Sequence, residues 1–140
     1  MTTTLEVQQI PCLSDNYGYL VHDAVSGLTA SIDTPDTGPI LQALEKKGWR
    51  LDFIFNTHHH DDHAGGNLAL KEKTGCEIIG PRADAGRIPG IDRQVGEGDS
   101  VTLGEWKFTV HDTPGHTRGH IVYHCQQAEV AFVGDTMFAL

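Results

Sequence analysis

No apolar run in these 140 residues approaches the roughly 20 needed to cross a membrane as a helix. The N-terminus also lacks the basic-then-apolar pattern of a secretory signal, so the expected location is the cytoplasm, with no membrane partner. Cysteine is scarce: Cys12, Cys76 and Cys125 stand far apart, and no CxxC pair exists. That excludes a disulfide framework and a thiolate zinc site, and leaves each cysteine as a small buried hydrophobe. Basic residues are outnumbered, ten against nineteen acidic, for a formal net charge of −9. Such a balance disfavours nucleic acid as a partner. There is no repeat, linker or low-complexity stretch. With 39% hydrophobic and 21% charged residues, the chain reads as one globular domain over residues 1–140. Sixteen glycines point to many tight turns, as in a strand-rich fold.

Histidine, in contrast, is concentrated. Thr57-His58-His59-His60-Asp61-Asp62-His63 places imidazoles and carboxylates at metal-ligand spacing. If the run is extended, side chains alternate, so His58 and His60 share one side while His59 and Asp61 point away. Asp62 and His63 follow where the chain should turn into a helix. The segment can thus offer two nitrogens to one ion, then an oxygen and a nitrogen to a second. Neutral imidazole and carboxylate suit zinc, iron or manganese. A purification tag would be terminal and uninterrupted, whereas this run is internal and follows an apolar stretch.

Periodicity predicts strands over 5–10, 17–22 and 28–32, with Pro11 ending the first. A helix follows from an N-cap at Thr37, with Pro39 in its first turn, an Ile40, Leu41, Leu44 stripe and Gly48 at its end. Phe53-Ile54-Phe55 is a short apolar strand that delivers the chain to Thr57. Ala64 and Leu68 suggest a second helix closing at Gly75, then a strand over 76–79. Residues 81–90 read as irregular, with one helical turn near 82–86. A hairpin over 100–103 and 106–110 turns at Gly104-Glu105, and Trp106, Phe108 and Val110 share a core face. Two more strands cover 120–125 and 130–133.

Two later stretches carry further chemistry. Thr113-Pro114-Gly115-His116-Thr117-Arg118-Gly119-His120 lies between predicted strands, and Pro114 and Gly115 shape a loop that aims His116 with little freedom. His120 begins the next strand and reads as an outer-shell or packing residue. Val133-Gly134-Asp135-Thr136 ends an apolar strand with a carboxylate, and one carboxylate can bridge two cations. Bound cations would neutralise part of the acidic excess at Asp62 and Asp135. Asp33 ends a strand and is placed to brace the metal loop by accepting backbone hydrogen bonds. His22, His111 and His124 have no motif around them and read as surface or strand residues.

Together, His58 to His63, then His116, then Asp135 resemble the metallo-β-lactamase superfamily, and Asp33 matches that family's early strand-end aspartate. Within it, the closer resemblance is to glyoxalase II, the hydroxyacylglutathione hydrolases. Leu13-Ser14-Asp15-Asn16-Tyr17, Thr57 to Gly66, Arg87-Ile88-Pro89-Gly90, Thr113 to His120 and Gly134-Asp135-Thr136-Met137-Phe138 carry it. The resemblance implies an α+β fold, a four-layer αββα sandwich with two divalent cations at one edge, zinc first, with iron and manganese as the other metals such donors accept. It implies His58, His60 and His116 on one ion, Asp62 and His63 on the other, and Asp135 bridging. In the family a further histidine follows the bridging aspartate, and no histidine follows His124 here. The chain is therefore expected to be an N-terminal portion, incomplete before the last strands of the sandwich and short of a ligand at its second site. Exposed strand edges near that point would favour self-association.

By resemblance, the reaction is hydrolysis of a glutathione thioester, S-D-lactoylglutathione to D-lactate and glutathione, a step of methylglyoxal detoxification. A metal-held hydroxide attacks the carbonyl, with Asp62 as ligand and as a catalytic base. The residues do not identify those that bind substrate. Two other readings stand beside it. One is a persulfide dioxygenase with a single iron; the other is a non-catalytic metal-binding remnant of the shortened chain.

Overall fold

The computed structural model describes residues 5–12, 16–34, 36–57, 66–112, 121–133 and 136–139. Two sheets are present. The first runs in the order β1-β2-β3-β4-β5-β6: Leu5–Cys12, Asn16–Asp23, Thr29–Ile32, Phe53–Phe55, Glu77–Pro81 and Arg93–Val95. It is antiparallel from β1 to β3 and parallel from β3 to β6. Parallel neighbours need a crossover, and helices α1 (Thr37–Lys47) and α2 (Asn67–Thr74) lie in two of these connections. The second sheet is antiparallel, ordered β11-β10-β9-β8-β7: Thr136–Ala139, Val130–Val133, Ile121–Cys125, Trp106–Asp112 and Ser100–Leu103.

Strand alternation sorts the apolar residues into two cores. Tyr19, Val21, Ile32, Phe55, Phe108, Tyr123 and Phe132 fill the space between the sheets. Leu20, Ile54 and Ile78 point to the other face of the first sheet, where they meet Ile40 and Leu44 of α1 and Leu70 of α2. A sheet buried on both faces reads as continuous apolar runs, as Phe53-Ile54-Phe55 does. The layers are therefore helix, sheet, sheet, which is the expected sandwich over three of its four layers. Among the described residues the helices lie on one side only.

Several expectations shift. β1 continues through Pro11, because an edge strand need not offer that residue's N–H to a neighbour. Helix α1 has Asp36, not Thr37, at its N-cap, while Gly48 closes it in the left-handed region as expected (φ 71°). Helix α2 buries Asn67 and Leu70, so Leu68 falls off the stripe and is 58% exposed; Ala64 lies outside the described residues. Strand β6 was invisible because Arg93 and Gln94 are exposed and only Val95 is buried. β11 was not expected, yet it pairs with β10 from Val133↔Thr136 to Val130↔Ala139. The Trp106, Phe108, Val110 face does pack inward, and Cys76 and Cys125 are buried thiols.

At the end of the sandwich remote from Thr57, Asp23 ties the two sheets. Its carboxylate accepts from Ser26 Oγ (2.7 Å), the amides of Ser26 and Val25 (3.2 and 3.3 Å) and Trp106 Nε1 (3.2 Å). Gly104 turns the β7–β8 hairpin at φ 61°, and a Cβ there would run into the Asp23 carboxylate and Ser26. Gly104→Ala combines left-handed strain with that clash. It should cost about 2 kcal/mol or more in urea unfolding, without changing the slope.

Stability should also show a plateau with two limbs. Burial pushes the Asp23 carboxyl up, but the hydrogen bonds from Ser26, Val25 and Trp106 outweigh it and leave it below its ordinary 3.8. The Lys71 ammonium, 2.6 Å away, lowers Asp92 more than burial raises it, with help from the Ile78 amide. A lowered carboxyl stabilises the fold above the unfolded value, and that contribution is lost as pH falls through the folded one. Burial raises Cys76 and Cys125 above 9.0, and burial with the nearby Asp33 charge raises Tyr123 well above 10.0. Raised acids have the opposite sign: their contribution is complete below the unfolded value and is lost as pH rises through the folded one. In the metal-free chain these groups should therefore lower the thermal midpoint as pH falls below about 3.8 and as it rises above about 9.0. Asp92→Asn should flatten part of the acid limb.

Candidate metal centre

β3 and β4 are parallel, so their C-terminal ends emerge at the same edge. Asp33 follows β3 there, and Asn56 and Thr57 follow β4. All three are fully buried. Asp33 sits in the left-handed region (φ 60°), which short polar residues such as Asp tolerate better than most. Its amide donates to Phe55 O (3.0 Å). Its carboxylate accepts the Thr57 amide and the Thr57 hydroxyl, each at 2.7 Å, with Asn56 Nδ2 at 3.5 Å. Asp33 thus braces the residue that immediately precedes His58, as the sequence suggested. Charged acceptors make stronger bonds than neutral ones, which suits a fixed loop stem.

The far stem of the 58–65 segment is held as firmly. Gly66 donates its amide to Thr34 O (2.9 Å), and a Cβ on Gly66 would stand 2.9 Å from that same oxygen. Buried Asn67 accepts from Thr34 Oγ1 (2.7 Å) and donates to Asn56 Oδ1 (2.6 Å) and Pro89 O (3.1 Å). One dipeptide, Asp33-Thr34, therefore holds both ends of the histidine loop, and Asn67 joins the stems. Thr34, Asn56 and Asn67 were not singled out from sequence. The available signal was polar residues directly after apolar strands, which turn chemistry explains equally well.

A second segment meets the first here. Ile121, at the start of β9, donates its amide to Thr57 O (2.9 Å). The register Phe132↔Tyr123 runs β10 back so that Val133 finishes beside the start of β9. The stems of 58–65, 113–120 and 134–135 are thereby brought to one edge, where the two sheets meet. The six candidate ligands themselves, His58, His60, Asp62, His63, His116 and Asp135, lie outside the described residues, as does His120. Among the described residues no group of three or more His, Cys, Asp or Glu gathers to hold a metal. Imidazoles and carboxylates on rigid stems are a donor set that fits a borderline divalent cation.

The remaining histidines stand elsewhere. His22 stacks on Trp49 at 4.3 Å and shares a hydrogen bond with Thr29 Oγ1 (2.8 Å). His111 faces Glu97 at 3.1 Å on an exposed rim, and His124 lies in β9. All three are strand residues, as expected. Among the described residues no helix is long and apolar enough to cross a membrane.

The sequence model of the metallo-beta-lactamase superfamily matches residues 16–140. The chain belongs to the metallo-β-lactamase superfamily. Its three described layers agree with solved members. BLEG-1 B3 metallo-beta-lactamase superposes with a TM-score of 0.80 at 23% identity, over 95% of this chain and 73% of that one. ETHE1 from Myxococcus xanthus superposes with a TM-score of 0.72 at 28% identity, over 91% of this chain and 56% of that one. In sequence, the chain is 57% identical over all 140 residues to proteins named hydroxyacylglutathione hydrolase. In Hyphomonas neptunium the match covers 55% of the protein, and in Brucella ovis 54%. The chain thus spans about half the length of the curated relatives it matches.

Proposed function

We infer that this chain carries the cation-binding part of a hydroxyacylglutathione hydrolase, which cleaves glutathione thioesters, with S-D-lactoylglutathione the substrate and D-lactate and glutathione the products. The observation that carries this reading is the 57% identity along the whole chain to proteins of that name. The three converging stems support it, because each leads into one stretch of the proposed ligand set. In this reading His58, His60 and His116 would hold one divalent cation, and Asp62, His63 and Asp135 would supply ligands to a second. Zinc is the first choice, and the same donors accept iron or manganese. When bound, the pair supplies Lewis acidity that activates water and stabilises charge developing on the thioester oxygen.

The chain's own residues do the rest. Asp33 and Thr34 hold the stems on either side of the 58–65 segment. Asp62 accepts a proton as well as donating an oxygen ligand. The thiolate leaves readily and needs little acid help. A small-molecule thioester is the partner. The acidic balance argues against nucleic acid, and β11, outermost in its sheet among the described residues, is the proposed edge for self-association. A cytoplasmic location belongs to the same proposal.

Elemental analysis of the purified chain, run beside hydrolysis of a glutathione thioester, tests it. At least one divalent cation per chain, held at the first site, with thioester turnover is expected. One iron per chain, with oxygen uptake on glutathione persulfide, would instead identify dioxygenase chemistry. A bound cation without turnover would instead identify a non-catalytic metal-binding chain.

A further inference from the structure

β9 touches the stem of the histidine loop twice. Ile121 N donates to Thr57 O (2.9 Å), and two residues on Tyr123 Oη donates to Asn56 O (2.7 Å). Consecutive carbonyls just beyond β4 are thus held by alternate residues of a strand in the other sheet. The Tyr123 ring is fully buried and stacks on Phe55, with centroids 5.3 Å apart. Packing alone would be served by phenylalanine, since a buried hydroxyl must find a partner or cost stability. The rest of Asn56 is already tied: its amide donates to Ile79 O (2.8 Å) and its side-chain oxygen accepts from Asn67. The Tyr123 hydroxyl adds the tie at its carbonyl, with Ile79 O a longer second acceptor at 3.4 Å. Asn56 lies two residues before His58, and Tyr123 three residues after the end of the 113–120 segment.

We propose that Tyr123 is a positioning residue of the cation centre: its hydroxyl, with the Ile121 amide, sets the separation between the stem of the 58–65 loop and that of the 113–120 loop. This rests on the cation centre inferred above. Neither Asn56 nor Tyr123 is a ligand in that reading, so the effect passes through His58, His60 and His116. Burial keeps the hydroxyl protonated across the working range, so the tie does not open with pH.

The test is cobalt(II) binding to the full chain, read by its visible absorption and by competition with a chelator, for wild type, Tyr123→Phe and Val101→Ala. Phenylalanine keeps the ring and its stack on Phe55. Val101 is buried in β7 and its side chain has no hydrogen-bonding group, so its truncation reports destabilisation alone. Tyr123→Phe should weaken cobalt binding about tenfold or more, in the range usual for outer-shell residues, and change the absorption envelope. Val101→Ala should lower the melting temperature of the metal-free chain and leave the cobalt constant unchanged. Thioester turnover should show reduced kcat with KM retained. Should Tyr123→Phe not fold, Ile121→Pro, at the first residue of β9, removes the amide that holds Thr57 O and should weaken cobalt in the same direction. A wild-type cobalt constant and spectrum in every hydrogen-bond variant that folds would overturn the proposal, as would an equal loss in Val101→Ala. Failure of wild type itself to bind cobalt would overturn the cation centre first, and this inference with it.

Discussion

Asp33→Ala should lower the unfolding free energy by about 4 kcal/mol, the largest single effect expected outside the ligand set. Two buried donors, the Thr57 amide and the Thr57 hydroxyl, lose a charged acceptor at 2.7 Å. Each unsatisfied buried donor costs about 1–3 kcal/mol. Alanine at φ 60° adds about 1–2 kcal/mol of left-handed strain. Domains of this size have about 5–15 kcal/mol in total, so the variant should be marginal at physiological temperature. Asp33→Asn separates the contributions, because asparagine tolerates the backbone geometry and keeps one acceptor. It should lose less stability than alanine while still loosening Thr57. Urea unfolding with and without zinc reads both, and an alanine variant within 1 kcal/mol of wild type would show that Thr57 is held by something other than the carboxylate.

His116→Ala and His58→Ala should each empty the first cation site. Ligand loss is expected to exceed the 10–100-fold cost in affinity or activity that outer-shell changes produce. The informative quantity is metal per chain after gel filtration, measured on both variants beside wild type. Each should retain less than wild type, and thioester turnover should fall to background. Binding should also weaken in both wild type and variants as pH falls, because imidazole must be neutral to bind a metal. Stoichiometric metal retained in both variants would contradict the assignment of these residues, whatever the activity.

Much of the architecture was legible in local pattern. The apolar run Phe53-Ile54-Phe55 ending in polar residues predicted a buried strand, and β4 is one, with Asn56 and Thr57 following it. Pro39 and Gly48 marked the two ends of α1 because their backbone preferences act without tertiary help. Patterning failed at edges. Arg93-Gln94-Val95 carries almost no apolar signal because an edge strand buries little, and Pro11 misled because an edge strand needs fewer amides. Leu68 misled in the opposite direction: it is apolar, sits at helical spacing and faces solvent.

The candidate site divides in the same way. Ligand chemistry is a property of residue types and their spacing, so His58 to His63, His116 and Asp135 stood out without coordinates. Support is a property of three-dimensional neighbours. Asp33 reaches Thr57 across 24 positions, Thr34 reaches Asn67 across 33, and Tyr123 reaches Asn56 across 67. Nothing in a strand of alternating apolar residues marks Tyr123 as the one whose hydroxyl matters. A buried polar group takes whichever partner packing brings within hydrogen-bond reach, and only the pairing of the two sheets decides which partner that is. By itself the sequence determined which atoms are available to bind a cation; the tertiary structure decided what holds their loops in place, because that depends on contacts between segments far apart in the chain.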